Sequence, residues 1–197
     1  MTLGGRLSCS QFPNGYEAIS YGRGTWLLHM LRYMMRDAEQ PPDQQPSGGA
    51  SDPVEEPFVR ALRRVRNQYQ GKSITTRQFL HAFEEELPRS LWFENRRSLD
   101  WFYRGWVEGT SIPRYELRNV KYLDKPASTT VSGILLQKDA PNDLVTPVPL
   151  YALREGNMVP LRRVFADGPE TPFQVNAPLG TRRVVVDPNH ALLTRSR

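Results

Sequence analysis

The chain has 197 residues, 39% of them apolar, and 26 Lys+Arg against 21 Asp+Glu give a formal charge of +5. That length suffices to bury a core in one domain or two small ones, and a mean hydropathy of −0.56 fits neither a membrane protein nor a wholly disordered chain. No apolar run reaches the ~18 residues of a membrane span and the first ten residues lack a signal-peptide core, so the expectation is a soluble chain with no membrane span. The lone Cys9 excludes an intrachain disulfide and a cysteine-built zinc site, and it leaves the compartment open.

Glu17 to Asp37 reads as a helix, because Leu27, Leu28, Leu31, Met34 and Met35 recur at three- and four-residue spacing. Gly22 and Gly24 weaken its first turns and suggest a close backbone approach there. Residues 38–57 turn to Gln, Pro, Asp, Ser and Gly, a composition too poor in apolar surface to offset its ordering entropy, and are expected to form a mobile insertion. A second helix follows at Phe58 to Gln70, with Phe58, Leu62, Val65 and Tyr69 on one face and Gly71 as its stop. Thr75 and Gln78 match a capping box ahead of a third helix with Phe79, Leu80, Phe83 and Leu87 on its apolar face. Ser98 is placed to cap a short fourth helix carrying Leu99, Phe102 and Trp106.

Beyond Arg114 the period shifts towards two and β-branched residues take over. Strands are predicted at Tyr115–Tyr122, Thr129–Gln137, Pro147–Arg154, Met158–Ala166, Thr171–Val175 and Arg182–Asp187, with a hairpin turn at Glu155, Gly156 and Asn157. The fold class predicted is therefore α+β: a helical segment, 1–114, followed by an antiparallel β-sandwich, 115–197.

A pI of 9.6 invites an anionic partner. The basic residues are scattered, however, and Arg60, Arg63, Arg64 and Arg66 lie on a helix whose other side is apolar, so they read as a solvated face. No nucleic-acid partner is predicted, because interleaved blocks of aromatic and basic residues are missing.

His29, His81 and His190 do not supply the paired imidazoles one helical turn apart that point two rings at one zinc ion. His81 therefore reads as a surface or half-buried helix residue. Nucleophile elbows, phosphate loops and paired CxxC motifs are also missing from the sequence. Spacing and composition alone assemble no complete active site.

The segment from Tyr16 to Arg32, which contains Tyr21-Gly22-Arg23-Gly24, resembles the Tyr-x-Lys-Gly helix of the M1-family zinc aminopeptidases, the gluzincins related to aminopeptidase N and leukotriene A4 hydrolase. Ile74-Thr75-Thr76-Arg77-Gln78-Phe79 is similar to the family's ITT-x-D-F helix start, and Leu99-Asp100-Trp101-Phe102-Tyr103-Arg104-Gly105-Trp106 to its L-x-x-F-F-x-x-W helix. Gly109-Thr110-Ser111-Ile112-Pro113-Arg114-Tyr115 looks like the G-x-P-x-Y lead-in to the β domain. These landmarks occur in order across Tyr16 to Tyr115.

The resemblance implies that residues 1–114 form the end of a thermolysin-like catalytic domain and that 115–197 are the β-sandwich that follows it. The implied activity is zinc-dependent hydrolysis of N-terminal peptide bonds, with a peptide as substrate. Tyr21 matches the family tyrosine whose phenol donates to the oxyanion formed during peptide hydrolysis. By spacing alone it reads instead as an aromatic packed at a helix start. Tyr16 matches a second tyrosine found in part of the family, and Arg23 replaces the common lysine and keeps its charge. The His-Glu-x-x-His zinc motif and the Gly-x-Met-Glu-Asn loop that grips the substrate amine do not occur in these 197 residues.

The expectation is therefore a C-terminal part that binds no cofactor by itself and is inactive alone, the zinc being held by a separate catalytic segment. The alternative is a non-catalytic protein-interaction module or split-enzyme subunit. On either reading some of Trp92, Trp101, Phe102, Tyr103 and Trp106 are expected to face solvent.

Overall fold

The structure is a computed structural model that describes residues 13–37, 55–154 and 156–195. Most of the insertion expected at 38–57 lies outside the described residues, as does Glu155 of the expected hairpin turn. Helix α1 (Gly24–Asp37) is preceded by a π-helical stretch, Glu17–Arg23. Helices α2 (Pro57–Tyr69), α3 (Thr76–Glu84) and the short α4 (Asp100–Phe102) follow, and α4 continues into a second π-helical turn, Tyr103–Val107. The expected helix at Glu17–Asp37 thus exists but changes register at Gly24.

Local chemistry accounts for the helix ends. At α3, Thr75 Oγ1 accepts the backbone N–H of Gln78 at 3.2 Å while Gln78 Oε1 accepts that of Thr75 at 2.9 Å, the reciprocal box read from the sequence. Beyond α2, Gly71 takes the positive φ of +73° that a side chain would resist. Helix α3 ends at Glu84, so Leu87 joins the core from the turn that follows rather than from the helix.

Six strands follow: β1 (Arg114–Asp124), β2 (Thr129–Lys138), β3 (Thr146–Arg154), β4 (Asn157–Ala166), β5 (Glu170–Ala177) and β6 (Val184–Val186). They form two three-stranded sheets, ordered β1-β2-β5 and β4-β3-β6, with every pairing antiparallel. The protein is thus of mixed α+β class. Strand β5 alternates as its sequence predicts, burying Phe173, Val175 and Ala177 and exposing Gln174 and Asn176. Strand β3 is buried from Thr146 to Ala152 on both faces.

Residues that precede β1 help to cover the β4-β3-β6 sheet. Phe93 and Trp101 pack on Phe165 with ring centroids 5.4 and 5.9 Å apart, Trp106 Nε1 donates to the Val145 carbonyl at 3.3 Å, and Arg163 donates to the Tyr33 carbonyl at 3.0 Å. One hydrophobic core runs from Met30 through Trp106 to Leu192, taking side chains from helices and both sheets.

Three expectations are corrected. A Cβ on Gly22 or Gly24 would meet nothing nearer than 3.8 Å, so no close approach requires them. The close approach falls at Gly105, where a Cβ would stand 2.7 Å from Leu144 Cδ1. The aromatic cluster does not turn to solvent: Trp101, Phe102 and Trp106 are buried, and Trp92 and Tyr103 half-buried. The arginines of α2 are not simply solvated, since Arg60 and Arg64 both bind Glu86 at 2.8 Å and tie α2 to the end of α3.

Candidate functional site

Tyr21 lies in the π-helical stretch with 64% of its surface exposed, and Tyr16 at its start is 41% exposed. Their rings meet edge to face, with centroids 5.8 Å apart and planes at 84°. In an α-helix residues five apart point about 140° away from each other. The wider π turn, in which the Gly24 N–H reaches back to the Ile19 carbonyl, brings them onto one side. π-helical turns of this kind recur at functional sites. Tyr21 is therefore not the packed aromatic that its spacing alone suggests; its ring stands in solvent.

Arg23 fixes this turn to the rest of the helical region. Its Nη2 donates to the carbonyls of Trp106 at 2.9 Å and Gly109 at 2.8 Å. Both acceptors lie at the C-terminal end of the second π-helical turn, where carbonyls lack helical partners and the helix dipole favours a cation. Burial holds the Arg23 guanidinium somewhat below its ordinary pKa, and its Nε is buried without a partner among the described residues. The segment 21–24 and the segment 106–109, far apart in sequence, are thus joined by one side chain.

Around Tyr21 the helix leaves an unusual amount of apolar surface exposed. Ile19 at 48%, Trp26 at 40% and Leu28 at 44% accompany the two tyrosines. On the same helix Trp26, His29 and Tyr33 stack in sequence, with centroids 5.2 and 4.5 Å apart, and the Arg36 guanidinium lies 4.2 Å over Tyr33.

The histidines stand on separate elements. His29 is in the α1 stack, His190 follows β6 in a turn of positive φ, and His81 of α3 places Nδ1 2.8 Å from Glu84 Oε2. The side chain of His81 is 77% exposed, the surface position its sequence context suggests. The other Glu84 oxygen accepts the Ser98 hydroxyl at 3.1 Å and the Leu99 N–H at 2.6 Å, while Ser98 Oγ accepts the N–H of Asp100 at 3.1 Å. Glu84 is thus a clasp between α3 and α4. Among the described residues no three His, Cys, Asp or Glu side chains converge to hold a metal ion.

Tyr115 and Asp187 are buried titratable side chains of the β region. Burial pushes the Tyr115 phenol above its usual range, and its hydroxyl bonds Gln137 Oε1 at 3.0 Å. Burial also raises Asp187, although its carboxylate accepts the N–H groups of Ala191 and Leu192. Both brace the fold. Tyr115 is the last residue of the G-x-P-x-Y likeness, whereas nothing in the sequence marks Asp187 among the other aspartates.

No protein-family model matches the chain, and comparison with curated proteins gives no significant match. No helix among the described residues is long and apolar enough to cross a membrane.

Proposed function

We propose that this chain is the C-terminal part of an M1-type zinc aminopeptidase, in which residues up to 114 close a thermolysin-like catalytic domain and the two sheets form the β-sandwich that follows. In this reading Tyr21 presents its phenol O–H to the oxyanion that develops on the scissile carbonyl. A preorganised donor there contributes ~3–4 kcal/mol, because the negative charge it meets exists only in the transition state. Tyr16, packed edge-on against Tyr21, is the positioning residue. The zinc and its chemistry belong to polypeptide carrying His-Glu-x-x-His, outside this sequence.

The observation that carries the reading is the Arg23 bridge. The Tyr-x-Arg-Gly segment and the Trp106–Gly109 segment are two of the landmarks on which the resemblance rests, and Arg23 bonds one to the other. The exposed ring of Tyr21, open to an incoming surface, supports it further.

The exposed run of Tyr16, Ile19, Tyr21, Trp26 and Leu28 also favours a second reading, a non-catalytic module that docks another protein through this helix. Zinc content and aminoacyl-anilide hydrolysis separate the possibilities. The proposal expects the isolated chain to be zinc-free and inactive, and to yield turnover when combined with a His-Glu-x-x-His segment. Stoichiometric zinc with turnover from the chain alone contradicts it, and binding of that segment without turnover leaves the docking module.

A further inference from the structure

The two sheets leave a groove of about 800 Å³ between β6 and the first half of β1, with Trp26 of α1 at one side and Arg195 at another. Strand β6 is the outer strand of its sheet. The Leu153 N–H donates to the Arg183 carbonyl and the Asp187 N–H to the Pro149 carbonyl, so residues 183, 185 and 187 face β3. Alternation turns the N–H and C=O of Val184 and Val186 the other way. Val184 N–H meets the Tyr122 hydroxyl at 3.2 Å, while the N–H and C=O of Val186 point away from β3 on the groove side of the strand. An open strand edge is a template for another strand.

The charges in the groove are not balanced. Glu116 is engaged by Lys138 at 2.6 Å, Asp187 by the two backbone N–H groups described above, and Arg114 by Asp139 at 3.2 Å. The exposed side chains of Arg183 and Arg195 have no hydrogen bond or ion pair among the described residues. Two uncommitted cations therefore flank an open strand edge, with half-buried Val185 and Val186 and the exposed face of Trp26 as apolar contacts.

We infer that this groove binds an acidic peptide segment in extended conformation, which adds as a strand to β6 while its carboxylates meet Arg183 and Arg195. Main-chain bonds supply affinity in this mode, and alternate side chains supply specificity. A peptide fits better than a nucleic acid because the groove offers a backbone ladder and a single aromatic rather than a series of stacking platforms.

The test is a titration of the ¹⁵N-labelled chain, followed by NMR, with a short blocked peptide alternating glutamate and valine, beside its lysine–valine counterpart. The acidic peptide is expected to bind saturably, to shift the Val186 amide and the Trp26 indole N–H, and to weaken with added salt. Arg183→Glu combined with Arg195→Glu is expected to reduce affinity about tenfold or more with an unchanged fold, since neither side chain holds a partner among the described residues. Equal binding of the lysine peptide overturns the proposal, as do shifts confined to other surfaces, no saturable binding into the millimolar range, or a single-stranded oligonucleotide occupying the groove where the peptide does not.

Discussion

Arg23 reaches across 86 residues of sequence to donate a 2.8 Å hydrogen bond to the carbonyl of Gly109. With its second bond to Trp106, this fixes the turn that carries Tyr21 to the segment leading into β1. Hydrogen bonds from a charged donor contribute ~1.5–3 kcal/mol each when their partners would otherwise go unmet. Arg23→Met, which removes both, is therefore expected to lower stability by about 3 kcal/mol or more, read as a lower urea midpoint at unchanged slope. Arg23→Lys, which keeps the charge and one donor, should recover part of the loss.

Glu84 is the corresponding clasp between α3 and α4. Leu99 is 1% exposed, and removing Glu84 takes away the acceptor that its N–H reaches at 2.6 Å. Glu84→Ala should cost about 2 kcal/mol, the penalty of a buried unmet donor. Glu84→Gln keeps an acceptor and should cost less, and thermal unfolding of the two variants tests the ordering.

Asp124 makes part of the stability acid-sensitive. The Arg182 guanidinium, bonded to both its oxygens, and the Thr129 hydroxyl hold its carboxyl at about 2, below the ordinary 3.8. The folded state thus favours the carboxylate more than the unfolded chain does. That contribution is complete above pH ~4 and is lost as the pH falls towards ~2. Urea midpoints measured across this window should fall less steeply for Asp124→Asn than for the wild type. A residual slope should remain, because Arg32 holds Glu56 low, and Arg60 and Arg64 hold Glu86 low.

The strands were legible because their signal is local. Period-two burial of Phe173, Val175 and Ala177 and the turns between runs mark β5 and its neighbours within a residue or two. The Thr75–Gln78 box was equally readable, since both partners sit within one turn. What could not be read depends on distant chain. Tyr16 and Tyr21 share a side only because the turn between them is π-helical, and nothing in the local residue types distinguishes that turn from an α turn. Backbone carbonyls carry no sequence signature, which hid the reach of Arg23 to Trp106 and Gly109. Whether Trp106 or Trp26 is covered is decided by the sheet that arrives later in the chain, and the aromatic density of 92–106 accordingly misled about which side chains face solvent.

The proposed role of the Tyr21 hydroxyl is tested by steady-state hydrolysis of an aminoacyl anilide by the zinc-loaded assembly of this chain with a His-Glu-x-x-His segment, comparing wild type with Tyr21→Phe. The phenylalanine ring keeps the edge-on contact with Tyr16 and removes only the donor. With the donor gone, kcat is expected to fall ~10²-fold or more while KM and the unfolding midpoint change little. Equal turnover in the two assemblies would contradict it.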